Sequence, residues 1–249
     1  MQRILDIDLD FFVEGAAHWR ESTDDRLDAA EFPPWPRERA LSFLEERCKL
    51  DRPLPGFVVE HHGEMFTRWR SAIDEAILTP PFEVTHIDAH ADLGLGDNGY
   101  VYLMTSLLFE PPEERRVPQT GDGGLADGNW LIYAIACRWL AALTYVLNTE
   151  SGPPGDILTY VMEGFDPGGR HIELPAMHKR ELDKLPFGEP EVHHREPKVP
   201  FTWMPWPAFT APDPFDVVCL ARSPGFTPRE SDPLFDEIRE RFIDEAAFD

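Results

Sequence analysis

The sequence predicts an α/β fold in which helices cover both faces of a mainly parallel β-sheet, the three-layer αβα arrangement. Predicted strands alternate with amphipathic helices at intervals that suit β-α-β crossovers. Several strands are short, continuous apolar runs, which is typical of parallel strands buried on both faces. No internal repeat and no linker between comparable halves interrupts this pattern. We therefore expect a single domain over residues 1–249.

The first half of the chain supplies three predicted strands and two predicted helices. In the first strand acidic and apolar residues alternate, and the other two are apolar runs. The predicted strands span residues 3–10, 56–59 and 83–87. Helical spacing of apolar side chains predicts helices over residues 37–50 and 64–78. Residues 11–36 are predicted to be irregular, as are residues 93–128 apart from 101–109.

The second half predicts a long apolar helix, two strands and a closing helix. Residues 130–147 are long enough to suggest a membrane span, but Arg138 lies at their centre and would cost several kcal/mol in lipid. We therefore expect a largely buried helix of a soluble domain. The remaining predicted elements are strands over 156–162 and 216–220 and a helix over 232–247. Residues 166–214, rich in proline, histidine and charge, are expected to form excursions over the core.

The composition excludes several classes of protein. With 46 acidic and 23 basic residues the formal net charge is −23, which argues against binding to nucleic acid or to an anionic membrane. Hydrophobic residues make up 42% of the chain, which is too many for a disordered protein. The acidity fits either a cationic partner or an ordinary soluble surface.

The cysteines and the amino terminus predict a cytoplasmic protein. Cys48, Cys137 and Cys219 are odd in number, widely spaced and set among apolar neighbours, so we expect free thiols in a reducing compartment. The first residues become acidic at Asp6, unlike a signal peptide.

Acidic residues and histidines gather at the ends of the three predicted strands in the first half. The first strand ends in DLD, the second is followed by EHH at residues 60–62, and the third runs into DAHAD at residues 88–92. Ligands of parallel sheets bind beyond the carboxyl ends of the strands. Residues two apart in a strand share a face, so we expect Asp88, His90 and Asp92 to start on one side. Carboxylates this close in a buried place need a cation to neutralise them.

The ligand count predicts a binuclear metal centre. Asp8, Asp10, Asp88 and Asp92 supply four negative charges, which two divalent ions balance, and His62 and His90 add neutral nitrogens. Such a set leaves room for a bridging water, the arrangement of two-metal hydrolysis. The oxygen-rich set favours Mn²⁺ over Zn²⁺, so we predict two Mn²⁺ per chain.

The same segments resemble a known family. DAHAD resembles the DAHxD motif of the arginase/ureohydrolase family, DLD its DxD motif, and EHH its GGDH segment. The chain is more closely similar to the UPF0489 family, a divergent branch of the arginase/deacetylase fold that includes peptide arginases. The segments that carry this similarity are DLDFF at 8–12, EHHGE at 60–64, HIDAHADL at 86–93, GNW at 128–130 and RSPGFTP at 222–228.

The resemblance implies an arginase-like fold, an activity and a ligand set. The activity is conversion of peptidyl arginine in a precursor peptide to ornithine, with release of urea. The implied metal ligands are Asp8, Asp10, His62, Asp88, His90 and Asp92. Asp92 would also orient the bridging hydroxide. Because DxD precedes DAHxD here, the strand order must be rearranged. Which two of Asp6, Asp8 and Asp10 bind metal stays open. Asp8 and Asp10 lie nearer the strand end, and Asp6 would lie deeper, behind the ligands.

Three further residues are candidates for binding the substrate, each with a plainer alternative. Glu163 could grip the guanidinium group or be an ordinary loop carboxylate. Asn129 could contact the substrate or cap a helix. Arg222 could bind a substrate carboxylate or carbonyl, or pair with an acid.

Histidines outside the ligand set are candidates for supporting roles. His61 could support a metal ligand. The residues that could act as acid or base, or simply lie on the surface, are His171, His178, His193 and His194.

Two other functions compete with peptide arginase. One is a different hydrolase on the same fold, such as an agmatinase-like enzyme or a deacetylase. The other is a non-catalytic metal-binding or interaction protein.

Overall fold

The computed structural model describes residues 1–17, 25–94, 98–149, 157, 159–186 and 190–248. Within these ranges the strands are β1 (Arg3–Asp8), β2 (Leu54–Val59), β3 (Phe82–Asp88), β4 (Leu140–Leu147), β5 (His171–Ile172), β6 (Pro175–Ala176), β7 (His194–Arg195), β8 (Val199–Pro205), β9 (Val217–Ala221) and β10 (Ile243–Asp244). The α-helices are α1 (Arg37–Ser42), α2 (Glu64–Asp74), α3 (Gly99–Thr105), α4 (Trp130–Ala136), α5 (Lys179–Leu182) and α6 (Asp232–Phe242).

Eight of these strands form one sheet, in the order β10-β2-β9-β1-β3-β4-β8-β5. Every neighbouring pair is parallel except β5 with β8. The central strands are buried on both faces, as their continuous apolar runs require. The predicted α/β class with a mainly parallel sheet is confirmed.

Helices cover the two faces of the sheet. On one face α2, α3 and α4 bury side chains such as Trp69 and Trp130 in one core cluster. On the other face α1 and α6 contribute to a second cluster around Phe43 and Phe235. Strand residues alternate between the two clusters, so that Ile4 of β1 faces the first and Leu5 the second. The molecule is therefore layered as helix, sheet and helix.

The predicted helix over residues 130–147 is wrong. Helix α4 ends at Ala136, and β4 begins at Leu140. Between them Arg138 has a φ of 60°, a left-handed conformation that ends the helix. An apolar run alone does not separate a buried helix from a buried strand, and the β-branched and aromatic residues 144–146 favour the strand. In the described part of the chain, no helix is long and apolar enough to cross a membrane.

The strand predicted over residues 156–162 is also wrong where it can be checked. Thr159–Val161 form a 3-10 helix, and residues 156 and 158 lie outside the described ranges. The position next to β4 is taken by β8, from within the segment expected to lie over the core. Pro200 and Pro205 obscured this strand, since proline is confined to strand ends and edges.

The other predicted elements differ from the structure mainly at their ends. The first strand stops at Asp8, where a 3-10 turn begins, and the predicted helix over 37–50 is α1 continued by a π-helical turn, Phe43–Arg47. The predicted closing helix over 232–247 ends at Phe242 and gives way to β10. Cys48, Cys137 and Cys219 are buried free thiols.

A buried ion pair ties the proline-rich segment to the core. Glu196 accepts from Arg115 Nη2 at 2.8 Å and from Arg138 Nε at 2.9 Å. Arg115 is 3% exposed and also donates to the carbonyl oxygens of Leu108, Glu110 and Ala136. Removing the Glu196 carboxylate would leave the Arg115 guanidinium buried without a counter-charge.

We therefore expect Glu196→Ala to lower the free energy of unfolding by about 3–5 kcal/mol. Denaturant unfolding of the two proteins measures the loss. The exposed Glu191→Ala serves as the control and should change stability by less than about 0.5 kcal/mol. Equal effects of the two substitutions would contradict this role of Glu196.

Candidate metal centre

The predicted ligands converge at the carboxyl edge of the sheet. Asp8 is the last residue of β1, Asp88 is the last residue of β3, and His62 lies in the turn between β2 and α2. In the pairing of β1 with β3, Asp6 is the partner of His86 and Ile7 of Ile87, so the two strands end side by side. The parallel sheet thus brings together residues about eighty positions apart.

The expectation that Asp88, His90 and Asp92 share one face of a strand is wrong. Strand β3 ends at Asp88, and Asp92 has a φ of 51° in the loop that follows. Asp10 likewise lies past its strand, in the 3-10 turn Leu9–Phe12. The loops, rather than strand periodicity, return these side chains to the site.

One group of ligand atoms surrounds His62. Its Nδ1 lies 3.0 Å from Asp8 Oδ2, 3.2 Å from Asp88 Oδ2 and 3.1 Å from Asp92 Oδ2. Atoms that share one ion at bond lengths of about 2.0–2.2 Å lie about 3 Å apart. The atoms of Asp8, His62 and Asp88 therefore have the spacing of a ligand set around a single cation, and Asp92 lies in a second possible set with Asp88 and His86.

A second group adjoins the first and shares Asp88 with it. His90 Nδ1 lies 2.9 Å from Asp10 Oδ2 and 3.6 Å from Asp88 Oδ1. Asp88 thus offers one oxygen to each group. Asp8, His62 and Asp88 could hold one ion, and Asp10, Asp88 and His90 another.

Burial and electrostatics both fit a cation at this position. The side chains of Asp8, Asp10, Asp88, Asp92 and His62 are all more than nine-tenths buried. Among the described residues, His62 Nδ1 and Asp88 Oδ2 are buried atoms without a hydrogen bond of acceptable geometry. Burial and the charge of Asp10 raise the pKa of Asp8 to about 6, and burial with the charges of Asp10 and Asp8 raises that of Asp88 well above its usual range. Positive charge at the centre would relieve this repulsion.

Asp6 and His86 complete the centre from behind. Asp6 Oδ2 lies 3.1 Å from His62 Nε2 and 2.7 Å from His86 Nδ1. His86 Nε2 lies 3.1 Å from the carbonyl oxygen of His90 and 3.2 Å from Asp88 Oδ2. Burial would raise the pKa of Asp6, but the two imidazoles lower it to about 2. His86 was not among the predicted site residues, although its position two residues before Asp88 in a strand was a usable signal.

Two motifs from the second half of the chain hold the carboxylates in place. Trp130 donates from its indole Nε1 to Asp92 Oδ2 at 2.7 Å. Ser223 donates from its hydroxyl to Asp8 Oδ2 and has a left-handed backbone with a φ of 46°. The GNW and RSPGFTP segments therefore contact the centre, through residues that were not singled out as site residues.

Asn129 and Arg222 are engaged in contacts within the protein. Asn129 is fully buried, accepts from the Ala126 backbone N–H at 2.8 Å and donates to the Gly124 carbonyl at 2.8 Å. Its side chain makes no hydrogen bond that caps α4. Arg222 lies 3.1 Å from Glu60 and 3.2 Å from Asp232, so of its two alternatives the structure has the pairing with acids.

Glu163 is not brought to the centre. It pairs with Lys198 and with His171 Nδ1, the latter at 2.9 Å. Lys198 precedes β8, and His171 pairs with Pro200 near the start of that strand. Glu163 therefore lies toward the amino end of β8, whereas the ligands lie at the carboxyl ends of the parallel strands β1 and β3. This position speaks against a role in gripping the guanidinium group.

The remaining histidines lie apart from the ligand groups. His61 is 51% exposed and lies 3.8 Å from Asp127 Oδ2. His178, His193 and His194 surround the exposed ring of Phe109, with ring centroids 5.2–5.8 Å from it. We therefore assign none of these four histidines a role in supporting a metal ligand.

The chain was also compared with known proteins. It matches no sequence model of a known family and no curated protein.

Proposed function

We propose that the protein is a manganese-dependent peptide arginase with an arginase/deacetylase-like fold. The observation that carries this proposal is the pair of adjoining ligand groups that share Asp88 at the carboxyl edge of the sheet. The donor set holds mostly carboxylate oxygens and two imidazole nitrogens, which suits Mn²⁺. The motifs that resemble the UPF0489 family supply the expectation of arginine chemistry.

In the proposed reaction, water adds to the guanidinium carbon of a peptidyl arginine. The bond from this carbon to Nε of the arginine side chain breaks, Nε takes up the two protons of the water, and urea leaves, so that ornithine remains in the peptide. Two bound Mn²⁺ would supply activation of the attacking water near neutral pH and stabilisation of developing charge.

The residues of the chain position the participants. Asp92 is assigned to orient the attacking water, and its carboxylate is fixed by the Trp130 indole at 2.7 Å. Ser223 fixes Asp8 in the same way. Rigid ligands matter, because a reacting atom misplaced by about 1 Å costs about 100-fold in rate.

The surface around the centre fits a cationic substrate. Asp127 lies beside the turn that carries His62, and its side chain is 46% exposed. The whole chain carries a net charge of −23. This field raises the local concentration of a positively charged, arginine-bearing precursor peptide.

The test is a urea assay on an arginine-containing peptide with added Mn²⁺. We expect urea together with a peptide mass decrease that matches loss of the amidino group, and no product from the same peptide with lysine for arginine. Free arginine and agmatine should show kcat/KM at least about 100-fold lower, because they lack the peptide contacts whose binding energy is used in the transition state.

Other outcomes would favour the competing functions. Agmatine as the best substrate would identify an agmatinase-like enzyme. A single tightly bound Zn²⁺ per chain, with deacetylation and no urea, would identify a deacetylase. Tight binding of peptide or metal without turnover would identify a non-catalytic binding protein.

A further inference from the structure

We propose that Asp6 is a positioning residue that fixes which nitrogen of His62 faces the metal centre, and that it is not itself a metal ligand. This inference rests on the metal centre of the proposed function but not on the reaction performed there.

A single oxygen of Asp6 contacts both imidazoles. Asp6 Oδ2 lies within hydrogen-bond distance of both His62 Nε2, at 3.1 Å, and His86 Nδ1, at 2.7 Å. An ionised carboxylate can only accept, so each of these nitrogens carries a hydrogen. On His62 this leaves Nδ1 as the nitrogen available to an ion, and Nδ1 is the atom that lies 3.0–3.2 Å from three carboxylate oxygens.

Asp6 also lies deeper in the sheet than the candidate ligands. Asp6 lies two residues before Asp8 on the same face of β1 and is fully buried. It is the strand partner of His86 in the pairing of β1 with β3. The imidazoles of His62 and His86 each lie between Asp6 and Asp88, with one nitrogen near each carboxylate.

His86 gives Asp6 a second point of control. The imidazole that Asp6 holds through Nδ1 reaches Asp88 Oδ2 with its other nitrogen, at 3.2 Å. Asp88 is the residue shared by both ligand groups. Asp6 thus orients His62, a ligand of the first group, and, through His86, also Asp88, which both groups share.

An alternative arrangement exists, in which Asp6 binds an ion together with His62 and His86, since these three residues also lie close enough. The two possibilities differ in the number of ions bound. Loss of a positioning carboxylate weakens metal affinity, typically 10–100-fold, but keeps every ligand. Loss of a ligand removes an ion.

The experiment is titration of metal-free protein with Mn²⁺ by calorimetry, comparing wild type with Asp6→Asn. We expect two ions in both proteins and affinity about 10–100-fold weaker in the variant. Asp10→Asn is the matched comparison for a true ligand and should retain one ion. Glu83 is an exposed carboxylate of β3, and Glu83→Gln should leave the number of bound ions and their affinity unchanged.

Two outcomes of this titration would overturn the inference. Loss of one ion in Asp6→Asn, with wild-type affinity for the other, would make Asp6 a ligand, and unchanged affinity would leave it without a role. A measurement on the wild type avoids dependence on folding of the variant. In protein loaded with diamagnetic Zn²⁺, nitrogen NMR should show the His62 proton on Nε2, and a proton on Nδ1 would contradict the proposal. A protein that passes both tests yet makes no urea would retain this inference and lose the proposed function.

Discussion

Asp88→Asn is expected to abolish binding of both proposed metal ions and, with it, the proposed hydrolysis of peptidyl arginine. Asp88 Oδ2 lies 3.2 Å from His62 Nδ1, and Asp88 Oδ1 lies 3.6 Å from His90 Nδ1. One substitution therefore removes a negative ligand from both groups. Because bound metal contributes several kcal/mol to the transition state, urea release should fall at least about 1000-fold. Calorimetric titration with Mn²⁺ should show no binding at concentrations that saturate the wild type.

Without metal, the same variant should be more stable than the wild type. Burial and the charges of Asp10, Asp8 and Asp92 raise the pKa of Asp88, so its ionised form destabilises the metal-free fold near neutral pH. An amide removes that repulsion. We expect metal-free Asp88→Asn to unfold at a higher temperature than metal-free wild type, and to gain no stability from Mn²⁺.

A matched control and an opposing result complete this test. Asp127→Asn makes the same chemical change at a half-exposed residue beside the centre and should keep both ions. Retention of one ion at wild-type affinity in Asp88→Asn would show that the two groups do not share this residue.

Three of the six predicted ligands could be placed from the sequence because the fold class fixes where strand ends go. Asp8 and Asp88 each end a buried strand, and parallel strands end at one edge of the sheet. His62 follows the second strand by three residues, so the same argument places it there. These positions depend only on which segments are strands and on their direction.

What could not be predicted depends on pairing and loop geometry. The contact of Asp6 with His86 follows from the register of β1 against β3, which no pattern in either strand specifies. Trp130 was placed in a helix of eighteen residues, which hid that α4 is short and begins beside Asp92. Glu163 was expected at the carboxyl edge because a strand was predicted before it, whereas the described residues Thr159–Val161 form a 3-10 helix and β8 was missed.

The stability of the metal-free protein is expected to fall as the pH rises from 6.5 to 9. Burial would lower the pKa of His86, but the charge of Asp88 and the bond to Asp6 raise it from 6.5 to about 9. A histidine whose pKa is raised by folding stabilises the fold fully below pH 6.5 and loses that contribution as the pH passes 9. The shift corresponds to a loss on the order of 3 kcal/mol. His62 and His90, whose pKa values are also raised, act in the same direction.

Of the acids at the centre, Asp8 and Asp6 do not contribute to this slope, whereas Asp88, whose pKa is raised well above its usual range, lowers the stability in the same direction as the pH rises. The pKa of Asp8 is raised from 3.8 to about 6, so its contribution to the stability of the fold decreases between those pH values and is constant above them. Asp6, with a pKa lowered to about 2, destabilises the fold only as the pH falls below 3.8. Urea denaturation in the presence of a chelator at pH 6.5, 7.5 and 9 therefore measures the slope that the histidines and Asp88 produce together. Because metal ions replace protons on these ligands, the affinity for Mn²⁺ should rise over the same range and offset the loss. A metal-free protein equally stable at pH 6.5 and 9 would mean that His86 does not carry a proton between Asp6 and Asp88.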